Sequence, residues 1–310
     1  MRLITYQDQD KYRPACIIGE HVIDIQNALA YYRSLPEDGL VSIEYIPTSV
    51  KDFLRLDHES QNWIQLAIEF SCENILENKN LAGRQDTILE LKEIVLAPPI
   101  PDPGKIICVA MNFPSAGLKQ KTEYPTIFIK PVSTISAANS PILLAKASQN
   151  VTYEAELAFV IGKTCHNVPI SDALSCVFGY TIANDVGDST LEKRTSQWVS
   201  GKMFDSFTPM GPYLLTADEM HDPHNLTIQT QLNGETVQKG NTADMFFNIP
   251  EITSYLSTLT TLNPGDIVLT GSPKLIGNKP IPQISLRPGD QVEITISELG
   301  VLSNCVTKEK

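Results

Sequence analysis

The sequence has no apolar run approaching the roughly 20 residues that a helix needs to cross a bilayer. Its opening, MRLITYQDQDKYRP, lacks the apolar stretch of a secretory signal. Basic residues are scarce: 24 Lys and Arg stand against 36 Asp and Glu, for a formal net charge of -12. That balance argues against nucleic acid or an anionic membrane as a general partner, because both demand a basic surface. An anionic small molecule is still allowed, since a ligand feels the local field of its site and a bound cation can reverse that field. CxxC pairs are missing. The six cysteines (Cys16, Cys72, Cys108, Cys165, Cys176 and Cys305) are scattered, which disfavours a zinc ribbon or a dithiol redox centre. Several sit in apolar stretches such as IICVA and DALSCVFGY, where a reduced, buried thiol is expected. There is no internal repeat and no low-complexity tract. These absences describe a soluble chain with reduced thiols, and a cytoplasmic location is the expectation.

What is present divides in two. At 310 residues the chain can form one large domain or a small one beside a larger one. Residues 1–96 read as a small α+β unit: RLITY, ACIIG and HVIDI predict strands, with Gly19-Glu20 as a hairpin turn. From Val50 to about Leu76 the spacing is helical. Phe53, Leu54, Trp63, Ile64, Ala67, Ile68 and Ile75 recur at three- and four-residue intervals, marking one buried helical face or two. The segment APPIPDPGK, with four prolines in nine residues, predicts a stiff linker over 97–104. Residues 105–310 are strand-rich. KIICVAM, TIFIK, PILLA, YEAELAFVIG, GYTIAND, PYLLT, LTIQTQLNG, DIVLTG and QVEITI follow one another between turn signals at Asn233-Gly234, Pro264 and Pro288. Short helical candidates intervene only near Ser171–Val177 and Ile249–Leu259. A mainly β domain follows, either a barrel or a folded-over sheet.

The segment VTYEAELAFVIG carries the most chemistry. Glu154 and Glu156 are two residues apart, so on a strand both project from one face. Two carboxylates entering an apolar strand repel each other and lose solvation unless something positive lies between them. A hard divalent cation with oxygen ligands answers both problems. An isolated ExE also fits a solvated edge, so the pair alone decides nothing. Asn184-Asp185, at the end of another apolar strand, offers a third carboxylate. Gly201-Lys202 and the closing loop Thr270-Gly271-Ser272-Pro273 add a cation, a turn and hydroxyls of the kind an anionic oxo-acid needs.

Taken in order, KIICVAMN, FIKP, YEAELAFVIGK, VFGYTIANDV, GKMFDSFTPMGP, LNGETVQ, IPEITSYLS, TLNPGDIVLTGSP and LRPGD resemble the fumarylacetoacetate hydrolase family in its smaller two-domain form. The match runs from about Pro103 to Val306. That form includes acylpyruvate hydrolases, oxaloacetate decarboxylases and the isomerase/decarboxylase enzymes of homoprotocatechuate breakdown. The resemblance implies an α+β, mainly β fold, with a mixed β-sandwich roll behind the small N-terminal domain, and a homodimer. It implies Mg²⁺, or Mn²⁺ or Ca²⁺, held by Glu154, Glu156 and Asp185, with Lys202 beside the metal and in contact with substrate. Thr270, Gly271 and Ser272 correspond to the loop that contacts the substrate carboxylate. Lys130 of FIKP, with Phe113 and Tyr124 of the loop after the first core strand, are further candidates for substrate contact.

The departures are as informative. Family hydrolases carry a histidine and then a glutamate in that loop, the pair that activates water. Here Ala116 and Lys119 fall at those positions, and all five histidines (His21, His58, His166, His221, His224) lie elsewhere. The arginine that usually follows the aspartate is also missing from Val186-Gly187-Asp188-Ser189, unless Lys193 or Arg194 replaces it. Hydrolysis loses the general base that is typically worth about 10² to 10⁴ in rate. Decarboxylation, tautomerisation and metal-assisted condensation need only a stabilised enolate. Lys119, Glu123 or Tyr124, with Ser115 and Lys121, could supply a proton, though a plain solvated loop explains them equally. Three readings result. The first is an enolate-forming lyase or isomerase acting on a 2-oxo acid or β-dicarbonyl compound. The second is an enzyme of specialised metabolism that makes or rearranges a C–C bond. The third is a non-catalytic binding protein, against which the retained carboxylates and Lys202 count. Cys165-His166 reads as a loop, His221 and His224 as structural or solvated, and Trp198, Phe204 and Phe207 as either pocket or core.

Overall fold

The computed structural model describes residues 1–34, 45–77, 86–115, 119–273 and 285–309. Its backbone is a twelve-stranded mixed sheet. From one edge the strand order is Ile88–Glu90, His21–Asp24, Lys11–Ile18, Arg2–Asp8, Thr208–Thr216, Val177–Asn184, Ala155–Ile161, Ile267–Leu269, Ile106–Ala110 and Thr126–Lys130. Val95–Ala97 and Ile135–Ala137 pair off this path, with Arg2–Asp8 and Thr208–Thr216. A second sheet of five strands runs Glu235–Asn241, Thr227–Leu232, Gln291–Ile296, Gly300–Lys308 and Ile142–Leu144. The fold is therefore α+β and mainly β, with mixed sheets, as the density of strand-like runs implied.

Alternation along one strand explains the layering. Ala155–Ile161 is buried at every position, so both its faces are covered. Ala155, Leu157, Phe159 and Ile161 pack with Ile228, Val292, Ile294 and Leu302 of the five-stranded sheet. Ala158 and Val160 project the other way, into a core shared with the helices. Those helices are Ile25–Arg33, Val50–Leu54 and His58–Glu77, and they supply Leu29, Phe53, Ile64 and Ile68 to that core. Glu156 has the parity of Ala158 and Val160. It is the charged end of the face that the N-terminal helices dry out.

The turns form where glycine and asparagine allow positive φ. Gly19 (φ 61) closes the hairpin between Lys11–Ile18 and His21–Asp24, and Asn233-Gly234 (φ 53 and 80) closes the one between Thr227–Leu232 and Glu235–Asn241. The proline segment is drawn into the fold: Ala97 to Ile100 are buried, Ala97 pairs with Thr5, and the Thr5 hydroxyl donates to Pro99 O at 2.9 Å. Arg2–Asp8 pairs with Lys11–Ile18 on one side and, at Arg2 and Leu3, with Leu215 and Leu214 on the other. One sheet thus crosses the position at which the proline count placed a boundary. Strands with polar or interrupted sequence, such as Glu235–Asn241 and Gly300–Lys308, carried too weak an apolar signal to be anticipated.

Asp24 ties the N-terminal layer together. It is fully buried, caps helix Ile25–Arg33 through Asn27 N (2.7 Å), accepts from Tyr6 Oη (2.8 Å), and takes a two-point contact from Arg13 (2.7 Å each). Removing it leaves a partly buried guanidinium and a phenol without their acceptor. Asp24→Ala is expected to cost about 3 kcal/mol, combining cap and ion-pair losses, as measured by urea unfolding. A loss under about 1 kcal/mol, the range of an exposed pair, would show that the network adds little.

Candidate metal centre

The carboxylates meet where two neighbouring strands end. Ala155 pairs with Asn184 and Glu156 with Ala183, so the next step of the ladder sets Glu154 against Asp185. Asp185 N donates to Glu154 O at 2.8 Å, and Glu154 N donates to the Asn184 side chain at 3.0 Å. Glu154 precedes the regular strand by one residue but keeps the same-face relation to Glu156. Ligand oxygens of Glu154, Glu156 and Asp185 all lie within 4.8 Å of one another. Asp185 (1 % exposed) and Glu156 (3 %) are buried, whereas about a third of the Glu154 side chain (34 %) is open.

Two lysines answer part of this charge. Lys202 Nζ donates to Glu154 Oε2 (2.6 Å), Asp185 Oδ2 (2.9 Å) and Asp185 O (3.0 Å). Lys130 Nζ donates to Asp185 Oδ1 (2.5 Å), Phe207 O (2.7 Å) and Val186 O (3.1 Å). An ammonium has three donors, so each lysine is saturated. Among the described residues Glu156 receives only an amide, Gly271 N at 2.7 Å. The backbone at Gly271 is left-handed (φ 93), and a Cβ there would lie 2.9 Å from both Val109 O and Asn112 Cβ; only glycine fits. Asn112 fixes the turn: its Nδ2 donates to Thr270 O (2.8 Å) and Phe247 O (3.0 Å), and its Oδ1 accepts from Phe247 N (2.8 Å).

The protonation preferences follow from this asymmetry. For Asp185 the penalty of burial is overcome by Lys130 and Lys202 together, and the carboxyl lies below its ordinary range. For Glu156, burial and then the negative charges of Asp185 and Glu154 act in one direction and push the carboxyl well up. Burial also raises Glu154, against the pull of Lys202. Burial opposes the charge of Lys202, yet Asp185 and Glu154 hold its pKa well above the usual lysine value. Three carboxylates against two ammoniums leave one negative charge over, and Glu192, 3.8 Å from Lys202, adds another. All-oxygen donors, close spacing and surplus negative charge fit a hard divalent cation.

The other expected site residues are distributed unevenly. Thr270 is fully buried and its hydroxyl donates to Leu157 O at 2.9 Å; the turn presents its Gly271 amide to Glu156 instead. Lys130 was expected to touch substrate, but its three protons are spent on Asp185 and two carbonyls. Phe113, also expected at the substrate, is 4 % exposed and belongs to the core. Ser272 is half-buried, and Lys119 and Glu123 are exposed. Tyr124 is exposed and stacks on Tyr255 (5.8 Å between centroids), next to the ion pair of Lys121 with Glu251 (2.6 Å). Ala116 lies outside the described residues. Lys193 and Arg194 are exposed; from that stretch it is Glu192 that reaches Lys202. Trp198 meets Phe128 edge-on at 6.2 Å, and Lys202 Nζ lies 5.9 Å over the Phe128 ring, so these aromatics flank the lysine. Of the two histidines read as structural or solvated, His224 Nε2 accepts from Ile249 N at 3.2 Å, and His221 is exposed beside Glu298.

A mixed-sheet fold that brings three carboxylates within 4.8 Å of one another, beside two lysines, has the donor set of a divalent-cation site. The chain belongs to the fumarylacetoacetate hydrolase family: the sequence model for the fumarylacetoacetate (FAA) hydrolase C-terminal region matches residues 105–307. It is 37 % identical to the Xenopus laevis oxaloacetate tautomerase fahd2, mitochondrial, over 99 % of this chain and 90 % of that protein. It is 39 % identical to human oxaloacetate tautomerase FAHD2A, mitochondrial, over 71 % of each chain. Among solved structures, maleylpyruvate hydrolase from Sphingobium sp. SYK-6, in complex with manganese(II) and pyruvate, superposes with a TM-score of 0.76 at 30 % identity, over the whole of both chains. A 2-hydroxyhepta-2,4-diene-1,7-dioate isomerase from Mycobacterium marinum gives 0.71 at 28 %, covering 100 % of this chain and 99 % of that one. These relatives are tautomerase, hydrolase and isomerase, and the chain stands among enzymes. No helix among the described residues is long and apolar enough to cross a membrane.

Opposite signs are expected for two substitutions. Glu156→Gln removes a buried carboxylate to which no lysine among the described residues donates, so the metal-free protein should keep or gain Tm while losing the Tm rise that Mn²⁺ or Mg²⁺ produces. Asp185→Asn strands two lysines and should cost about 3 to 5 kcal/mol without metal. Because the folded-state pKa of Glu156 is raised, its stability contribution is present below the ordinary glutamate value and lost as pH rises through the folded value. The metal-induced Tm gain is therefore expected to be largest at neutral pH and to shrink on acidification before ordinary carboxylates protonate. Scanning calorimetry with and without metal from pH 5 to 8 checks all three; a gain independent of pH would contradict the assignment.

Proposed function

We propose that this protein is a divalent-metal-dependent enzyme that interconverts the keto and enol forms of a 2-oxo acid of the oxaloacetate kind. The observation that carries the reading is the carboxylate triad with Lys202 on its more open side. The name of the Xenopus laevis relative supplies the substrate class. A divalent cation held by Glu154, Glu156 and Asp185 would supply Lewis-acid stabilisation to negative charge developing on a substrate oxygen. Lys202 adds a fixed positive charge beside that position, pre-oriented by three acceptors, so no reorganisation is needed when charge develops. Lys130 keeps Asp185 in one orientation, and the Gly271 amide does the same for Glu156. Phe128 and Trp198 limit water on the lysine side.

Tautomerisation asks for no activated water, and this chain's sequence holds Ala116 where family hydrolases hold the histidine. Decarboxylation of the same substrate passes through the same enolate, which the triad-held cation and Lys202 would stabilise equally, and forms a second reading. Mg²⁺ is the expected ion, with Mn²⁺ an equal test case, and the six free thiols support a reduced compartment.

Proton NMR in D₂O with oxaloacetate and Mn²⁺ or Mg²⁺, read against Glu154→Ala, tests the proposal. Metal-dependent enol–keto conversion and C3–H exchange are expected, with a drop of at least about 10²-fold in the variant, the scale of a lost electrostatic or Lewis-acid contribution. Pyruvate appearing at the exchange rate would instead favour the decarboxylase. Equal rates in wild type and variant would sink both.

A further inference from the structure

One carboxylate near the centre has no role in the scheme above. Glu192 ends the short helix Ser189–Glu192, and its Oε1 stands 3.8 Å from Lys202 Nζ. Its placement is built. A Cβ on Gly201 would lie 2.6 Å from Glu192 Cγ, and one on Gly187 would collide with Glu192 Oε1 and sit 2.8 Å from Lys202 Cδ and Cε. Two absent side chains thus form the slot through which Glu192 reaches the lysine. The helix itself is anchored by fully buried Asp188, which accepts from Thr190 N (2.9 Å), Leu191 N (3.1 Å), Gln149 N (2.5 Å) and Asn150 N (3.2 Å). Ser200 Oγ donates to Leu191 O at 3.2 Å and ties this helix to Val199–Lys202.

We propose that Glu192 is the catalytic base and acid that moves the proton at the substrate carbon, the part that the missing histidine and glutamate leave unfilled. The proposal rests on the keto–enol reading given above. Elimination among the described residues points the same way. Glu154, Glu156 and Asp185 are committed to the cation, and an ammonium such as Lys202 or Lys130 has no lone pair with which to accept a proton. Lys119 and Glu123 are on an exposed stretch whose neighbours Lys121 and Tyr124 dock on helix Ile249–Leu259. Access agrees as well. Asp185 and Glu156 are closed off, whereas the side chains of Glu154 (34 % exposed) and Glu192 (21 %) are partly open to solvent, and both are partners of Lys202.

The step balances as an isomerisation. The C3–H bond of the 2-oxo acid breaks and its proton passes to a Glu192 carboxylate oxygen. The electron pair of that bond becomes the C2–C3 double bond, and the carbonyl π pair moves onto oxygen, which takes a proton from solvent. Glu192 then returns its proton to solvent. The reverse sequence gives ketonisation, and nothing is oxidised or reduced.

The test compares wild type with Glu192→Gln, using three measurements on the full chain: Mn²⁺-induced Tm gain, binding of oxalate as a planar dianionic probe, and C3–H exchange of oxaloacetate in D₂O. Loss of about 10²-fold or more in kcat for exchange, with KM, oxalate binding and Tm gain kept within about threefold, is expected. Exchange at the wild-type rate overturns the proposal. So does a loss of exchange accompanied by lost oxalate binding or lost Tm gain, which would mark Glu192 as a support for Lys202 only. Should Glu192→Gln fail to fold, Glu192→Asp keeps the charge and withdraws it by one methylene. A fall in kcat of tenfold or more at unchanged KM then supports the assignment, and an unchanged kcat overturns it. Silence of the wild type itself would instead be the failure of the keto–enol reading, visible before any variant is made.

Discussion

Three carboxylates crowded within a few ångströms at the dry end of a sheet are the constraint on which this molecule turns. Such a cluster cannot exist in a low-dielectric setting without compensation, and the fold supplies it unequally. Asp185 faces two ammoniums, Glu154 faces one, and Glu156 faces an amide. If stability alone were at stake, apolar residues of similar volume would serve as well or better. What the arrangement keeps is a deficit of positive charge at one point, and a divalent cation is the group whose charge and donor preference match it. Lys130 and Lys202 bring the surplus down to what a cation can neutralise, without neutralising it themselves.

The surrounding structure serves to keep those few atoms in place. The central strand needs both faces buried to be rigid, so the chain adds the five-stranded sheet on one side and the N-terminal helices on the other. The helix layer is joined by strand pairing at Arg2 and Leu3 and by the Asp24 network, and it covers the face from which Glu156 projects. Gly271 and Asn112 tie the turn after Ile267–Leu269 to the loop after Ile106–Ala110, so the amide on Glu156 is held by contacts from distant parts of the chain. Loosening any of these acts on the position of a ligand oxygen before it acts on chemistry.

How much of this could be read from the residues depends on the range of the interaction. The alternation of VTYEAELAFVIG placed Glu154 and Glu156 on one face because period-two geometry is local, and the strand-end position of Asp185 followed the same logic. The apolar runs announced most strands, and helical spacing announced the Phe53 to Ile68 face. Roles that depend on what lies across space were not legible. Nothing near Lys130 in the sequence says that Asp185 and two carbonyls will take its protons, nor that the Thr270 hydroxyl will turn back to Leu157. Prolines in APPIPDPGK mark irregular backbone correctly, but whether such a segment links or packs is decided by its partners, here Thr5. Glu192 was passed over because it follows no motif. The only local trace was a pair of glycines, Gly187 and Gly201, whose missing Cβ atoms acquire meaning once Glu192 runs past both of them to Lys202.

That last point bears on how a family site changes its chemistry. Cleaving a C–C bond with water needs a base aimed at water, while moving a proton between carbon and oxygen needs a base aimed at carbon; both need the same cation and lysine. Losing the histidine therefore removes one reaction without touching the machinery the two share. The remaining requirement is a carboxylate or imidazole on the open side of the lysine, at a position fixed within a few tenths of an ångström. A four-residue helix locked by Asp188 and Ser200 meets that demand better than an exposed loop would, because rotamer and backbone are both held. On the function proposed here, the residues that this chain keeps around the carboxylate triad suit moving a proton better than activating water.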